Sequence, residues 1–132
     1  AYGRGAAAAA AGERQESLEA FRTAAALAPR DPAPLRALGR LHLEAGDYAA
    51  ALAAMDEGLA RQPDYLQLRL DRIDVLARTQ RWPEAVQQAE AASRAVPASG
   101  EALLKLADVY QRAGRLDDEE RAYAEGIRRH PA

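Results

Sequence analysis

Apolar residues recur with a helical period along most of this chain. Leu35, Leu38, Leu41 and His42 fall at i, i+3, i+6 and i+7, one side of a helix, and Leu103, Leu106, Ala107 and Tyr110 repeat that spacing. Polar residues fill the opposite sides. The runs end at isolated glycines, Gly46 and Gly114, where a helix stops because glycine tolerates the left-handed backbone. Pro83 follows Trp82 at a helix start, where a missing N–H costs nothing. Ser99 is placed to cap the next helix. No run alternates with period two, and valine and isoleucine are scarce, so strands are not expected. Alanine, leucine, arginine and glutamate dominate, all strong helix formers. The pattern predicts an all-α fold.

A longer period overlies the helical one. Pro29, Pro63, Pro97 and Pro131 stand 34 residues apart, each preceded by a helical run, a turn and a second helical run. The best unit carries Leu35, Leu38, Gly39, His42, Gly46-Asp47-Tyr48, Ala51, Met55, Gly58 and Pro63. This pattern resembles the tetratricopeptide repeat, a helix-turn-helix unit of about 34 residues. The resemblance covers essentially the whole chain as one domain, residues 1–132, in four units of about 1–31, 32–65, 66–99 and 100–132. It implies a right-handed superhelical solenoid of antiparallel helix pairs, about eight helices. The first unit places Gly5, Gly12, Ser17, Phe21, Ala24 and Pro29 at the signature offsets. The third departs: Arg69 and Arg72 replace an apolar pair, Ile73 a small residue, and Gln80 the turn glycine. In the fourth, Glu119 stands where the family places alanine.

Small residues such as Ala20, Ala24, Ala51, Ala85, Ala89, Ala92 and Ala107 let helix backbones approach closely. Phe21, Met55, Trp82 and Tyr123 are expected to fill the remaining space as core. Each repeat buries its apolar face only against its neighbours. The chain begins inside a first helix and stops at a proline that in the family leads into another repeat. We therefore expect a segment of a longer array, with Tyr123 and Ile127 uncovered on the last helix.

Composition narrows the function. With 18 basic and 20 acidic residues the net charge is −2, ordinary for a globular chain. Seventeen of the basic residues are arginine, a bias that resembles GC-rich bacterial genomes. Acidic residues outnumber basic ones, and the Arg112/Arg115 and Arg128/Arg129 clusters read as charges complementing helix C-termini, so nucleic acid is not an expected partner. No stretch is long and apolar enough to enter a membrane. The absence of cysteine excludes disulfides and thiolate metal sites and leaves the compartment open, with the bacterial periplasm slightly favoured over the cytoplasm.

Catalytic patterns are missing. There is no cysteine nucleophile, no serine–histidine–acid arrangement and no phosphate-cradling glycine loop. Asp71 and Asp74 share a helix face, but Arg69, Arg72 and Arg78 beside them favour ion pairing over metal binding or acid–base work. The sequence points to a non-catalytic scaffold without cofactor or metal.

In tetratricopeptide proteins the first helices of successive repeats line a concave groove that holds a partner protein or peptide. The resemblance then implies Arg36, Arg40, Leu43 and Glu44 from the second repeat. From the third it implies Gln67, Leu70, Asp71, Asp74 and Arg78, and from the fourth Glu101, Leu104, Lys105, Asp108, Gln111 and Arg112. The first repeat offers Tyr2, Ala6, Ala9 and Ala10. A basic patch on the second repeat is expected to face an acidic strip through Asp71, Asp74 and Asp108. The lysine–asparagine clamp by which some members hold a terminal carboxylate is missing, since Asp74 and Asp108 occupy its asparagine positions. Two settings fit such a scaffold, a bacterial cell-envelope secretion or exopolysaccharide-export assembly and a cytoplasmic adaptor or regulatory module. Self-association through open solenoid ends is the third reading.

Overall fold

The computed structural model describes residues 2–129, with side chains from Ala10 onward. Pro131, His130 and the side chains of Tyr2, Ala6 and Ala9 lie outside the described residues. Among the described residues the chain forms seven helices and no strand. They are α1 (Tyr2–Leu27), α2 (Ala33–Glu44), α3 (Tyr48–Arg61), α4 (Leu66–Arg78), α5 (Trp82–Ala95), α6 (Gly100–Arg112) and α7 (Leu116–Arg129). The all-α expectation holds; the expected eight helices become seven. The first repeat is one continuous helix because nothing at Gly12 closes a turn: its φ is not positive, and its flanks, Ala6–Ala11 and Glu13–Glu16, are helix formers. A lone internal glycine costs only about 1 kcal/mol against alanine, too little to break so uniform a run.

The other repeats turn by one recurring device. At the end of α2 the Asp47 N–H donates to the His42 carbonyl and the Gly46 N–H to that of Leu43. Arg81 to Leu76 and Gln80 to Ala77 repeat this pair after α4, and Arg115 to Tyr110 and Gly114 to Gln111 repeat it after α6. This is the Schellman closure, which satisfies the orphan carbonyls of a helix end and requires a positive φ. Gly46 (78°), Gln80 (57°) and Gly114 (79°) all adopt it. Gln80 is thus a departure in residue and not in backbone.

The helices form two compact units, Ala1–Leu68 and Arg69–Ala132, with the first turn of α4 in one and the rest of α4 in the other. In the first unit α2 packs against both α1 and α3. Its core joins Ala25, Leu35, Leu38 and Ala54, with Leu18 and Phe21 against them. The Arg61 Nη1 donates to the carbonyls of Ala25, Ala28 and Asp31 at 3.1, 3.1 and 3.0 Å, tying α3 to the end of α1 and the loop after it. Gly58 lets the first turn of α4 come close: a Cβ there would stand 2.5 Å from Leu68 Cδ2.

In the second unit α6 packs against both α5 and α7. Ile73, Leu76, Ala85, Ala89, Ala92, Leu103, Leu106 and Val109 are buried. Ser99 caps α6, its side chain accepting from the Ala102 N–H at 3.1 Å. Of the side chains expected as core, Met55 is fully buried, while Phe21 and Trp82 are half-buried. Tyr123 does not fill the core: it is 47% exposed, and Ile127 beside it 72%, in line with the expectation that both lie uncovered on the last helix. Within this unit α7 packs against α6, and Arg129 Nη1 donates to the Pro97 carbonyl at 3.3 Å.

Candidate functional site

The expected groove residues all sit on first helices, as their repeat positions require. In the first unit Arg36, Arg40 and Glu44 lie at i, i+4 and i+8 on α2, one face of that helix. Arg40 and Glu44 are exposed; Arg36, Leu43 and Gln67 are half-buried. In the second unit Asp71, Asp74 and Lys105 are half-buried, Arg78, Glu101, Gln111 and Arg112 are exposed, and Leu70 is buried.

Two of these acids carry their own counter-charge. Lys105 Nζ on α6 lies 2.6 Å from Asp74 Oδ1 on α4, joining the first helices of two successive repeats. Arg112 Nη1 lies 3.6 Å from Asp108 Oδ2, one turn back on α6, while its guanidinium stands 5.6 Å from the Trp82 ring centroid. The surface is therefore an alternation of paired charges with an aromatic edge, where the sequence suggested an acidic strip. The missing signal was position-specific. Lys105 follows Asp74 by 31 residues, close to one repeat, which sets the two on adjacent first helices. Trp82, expected as core, lies half-buried at this edge.

Hollows open elsewhere among the described residues. One, of about 560 Å³, is lined by Gln15, Leu18, Glu19, Arg22 and Thr23 of α1 and His42 of α2. Arg14 Nη2 lies 3.5 Å from His42 Nδ1. Burial lowers the His42 pKa below its ordinary value; Arg14 and Arg22 add to this and Asp47 opposes it. Another hollow, about 260 Å³ and almost wholly apolar, lies between α6 and α7. Gly100, Leu103, Leu104, Ala122, Tyr123, Gly126 and Ile127 line it. Among the described residues no three metal-ligating side chains converge, and no helix is long and apolar enough to cross a membrane.

Repeating closures and a repeating core find their counterpart in known proteins. The tetratricopeptide repeat profile matches residues 2–65, 36–97 and 70–132, with starts 34 residues apart. The chain belongs to the tetratricopeptide repeat family. Membership makes it a protein–protein interaction scaffold. No protein of curated function is significantly similar to the chain. Solved structures of MamA share its fold. MamA 41-end from Desulfovibrio magneticus RS-1 is 25% identical with a TM-score of 0.72, the match covering 91% of this chain and 68% of that one. The MamA RS-1 ArsTM double mutant is 24% identical with a TM-score of 0.72, covering 89% and 66%. A further MamA crystal structure gives 15% and 0.75, covering 88% and 63%. The chain thus spans about two thirds of the length of these proteins.

Proposed function

We propose that the polar faces of the first helices bind a partner protein or peptide, without catalysis, and that the charges on them set its register. The observation that carries this is the Asp74–Lys105 pair between α4 and α6, with Arg112 held between Asp108 and Trp82 beside it. Exposed and half-exposed pairs contribute little to folding, so their arrangement is free to select a partner of matching charge. On α2, Arg36, Arg40 and Glu44 offer a second charged face in the other unit. The fitting ligand is an extended or helical segment with alternating charge and an aromatic or cationic group for the Trp82 edge. The family and its structural neighbours support protein binding and carry no support for secretion or exopolysaccharide export as its setting.

Affinity capture from the source organism's lysate tests this. The wild-type chain is compared with a variant carrying Arg36→Glu, Arg40→Glu and Asp74→Arg, with circular dichroism confirming that both are folded. A protein retained by wild type alone supports the first-helix faces. Equal retention by both removes these residues from the site.

A further inference from the structure

We infer that the hollow between α1 and α2 is a seat for a tyrosine side chain of a partner protein, with its ring against Leu18 and His42 and its hydroxyl between Glu19 and Arg22. It goes beyond the first-helix faces and needs no part of them: His42 stands roughly 200° around α2 from Arg40.

The second unit holds the template. Tyr110 on α6 is 8% exposed and Val86 on α5 4%, so a phenol ring closes the space where these two helices pack. Its hydroxyl donates to the Glu90 carboxylate, and the Arg115 guanidinium stands 5.2 Å from the ring centroid. Two repeats earlier, 68 residues back, the positions of Tyr110, Val86, Glu90 and Arg115 carry His42, Leu18, Arg22 and Asp47. There α1 packs against α2 as α5 does against α6. An imidazole is a smaller ring than a phenol and carries no hydroxyl. Leu18 and His42 stay half-buried, and a hollow of about 560 Å³ opens beside them. The first unit keeps the walls of a phenol site and lacks the phenol.

The walls specify the group. Glu19 lines the hollow one turn before Arg22 on α1, an acceptor beside a donor. A hydroxyl donates to the first and accepts from the second at once, which neither a phenyl ring nor a carboxylate does. Both side chains retain capacity for it. Glu19 accepts from Gln15 Nε2 at 3.2 Å through Oε1, and Arg22 reaches Glu57 through Nη1 at 3.8 Å.

Charge selects a neutral occupant. The charged side chains lining the hollow are Glu19 and Arg22; Glu57 pairs with Arg22, and Arg14 and Asp47 act on His42. Burial, opposed by Asp47, keeps the imidazole neutral at pH 7. Neither sign dominates, so a free carboxylate or an ammonium would meet a like charge within the same hollow. Tyrosine is the aromatic anchor that joins an apolar ring to a polar tip, and such anchors fill pockets at protein interfaces. The volume exceeds one ring and leaves room for the backbone on either side of it.

The test is an NMR titration followed at the His42 imidazole and the Leu18 and Thr23 amides, which a ring lying against them shifts. The ligand is N-acetyltyrosinamide, with N-acetylphenylalaninamide and phenol as comparisons. The protein is used as wild type, His42→Tyr and Arg40→Glu. We expect N-acetyltyrosinamide to bind wild type and Arg40→Glu alike, with a Kd of about 1 mM. The phenylalanine compound, which lacks the hydroxyl, should bind at least about tenfold more weakly. His42→Tyr supplies from within the side chain that the second unit carries, so it should melt higher and bind at least about tenfold more weakly. An unmoved His42 signal, equal binding of the phenylalanine compound, or undiminished binding to a folded His42→Tyr overturns the inference. If His42→Tyr does not fold, the tyrosine and phenylalanine compounds on wild type still decide it. Phenol binding as tightly as N-acetyltyrosinamide overturns it by assigning the hollow to a small phenolic molecule. Weaker binding to Arg40→Glu overturns it by placing the ligand on the first-helix face.

Discussion

Gln80 does with a side chain what Gly46 and Gly114 do without one. All three residues close a helix in the left-handed region, with the same two backbone hydrogen bonds. A Cβ in that region costs roughly 1–2 kcal/mol. Gln80→Gly should therefore stabilise the protein by about 1 kcal/mol, less the entropy a glycine adds to the unfolded chain, and Gly46→Ala should destabilise it by about the same. Urea denaturation of both variants measures the two signs. His42 gives a pH-dependent counterpart. Its native pKa lies below the ordinary value of 6.5, first because of burial, so the unfolded chain binds the proton more readily. This contribution to stability is fully present above about pH 6.5 and is lost as pH falls through the lowered native pKa. His42→Gln should flatten the stability profile on that acid side, and an NMR titration should place the imidazole below 6.5.

Helix ends carry the most specific local chemistry in the chain. Ser99 and Asp47 accept from the backbone N–H three residues on, and each satisfies a donor that the first turn leaves unpaired. Ser99→Ala should cost about 1 kcal/mol, read as a lower denaturation midpoint at unchanged slope. Much of this was legible in advance. The proline period, the glycines after α2 and α6, the Ser99 cap and Pro83 in the first turn of α5 all follow from rules about single positions. The Gly12 turn did not form, because glycine permits a turn without enforcing one and the surrounding residues favour helix. Arg61 was invisible too: its three carbonyl partners lie 30 to 36 residues away, and no local pattern marks an arginine as a backbone tie. The expected groove residues fall on α2, α4 and α6, as repeat position alone predicts. Their pairing was not legible, since an i to i+31 contact depends on how two helices pack.

A repeat protein stabilises each element through its neighbours, so protection should follow the number of covered faces. Within the second unit α6 is covered by both α5 and α7 and buries Ala102, Leu103, Leu106, Ala107, Val109 and Tyr110. In α7 only Ala122 is buried; it is further held by ion pairs, among them Arg115 and Arg121 with Asp118 at its start and Arg129 with Glu125 at its end, and by Arg129 Nη1 donating to the Pro97 carbonyl. Exposed pairs of this kind add only a few tenths of a kcal/mol each. Amide hydrogen exchange should therefore be at least about tenfold faster through the middle of α7 than through the middle of α6, a gap of roughly 1.4 kcal/mol in local opening. Equal protection of α6 and α7 in the free protein would show that α7 is held more firmly than its single buried side chain implies.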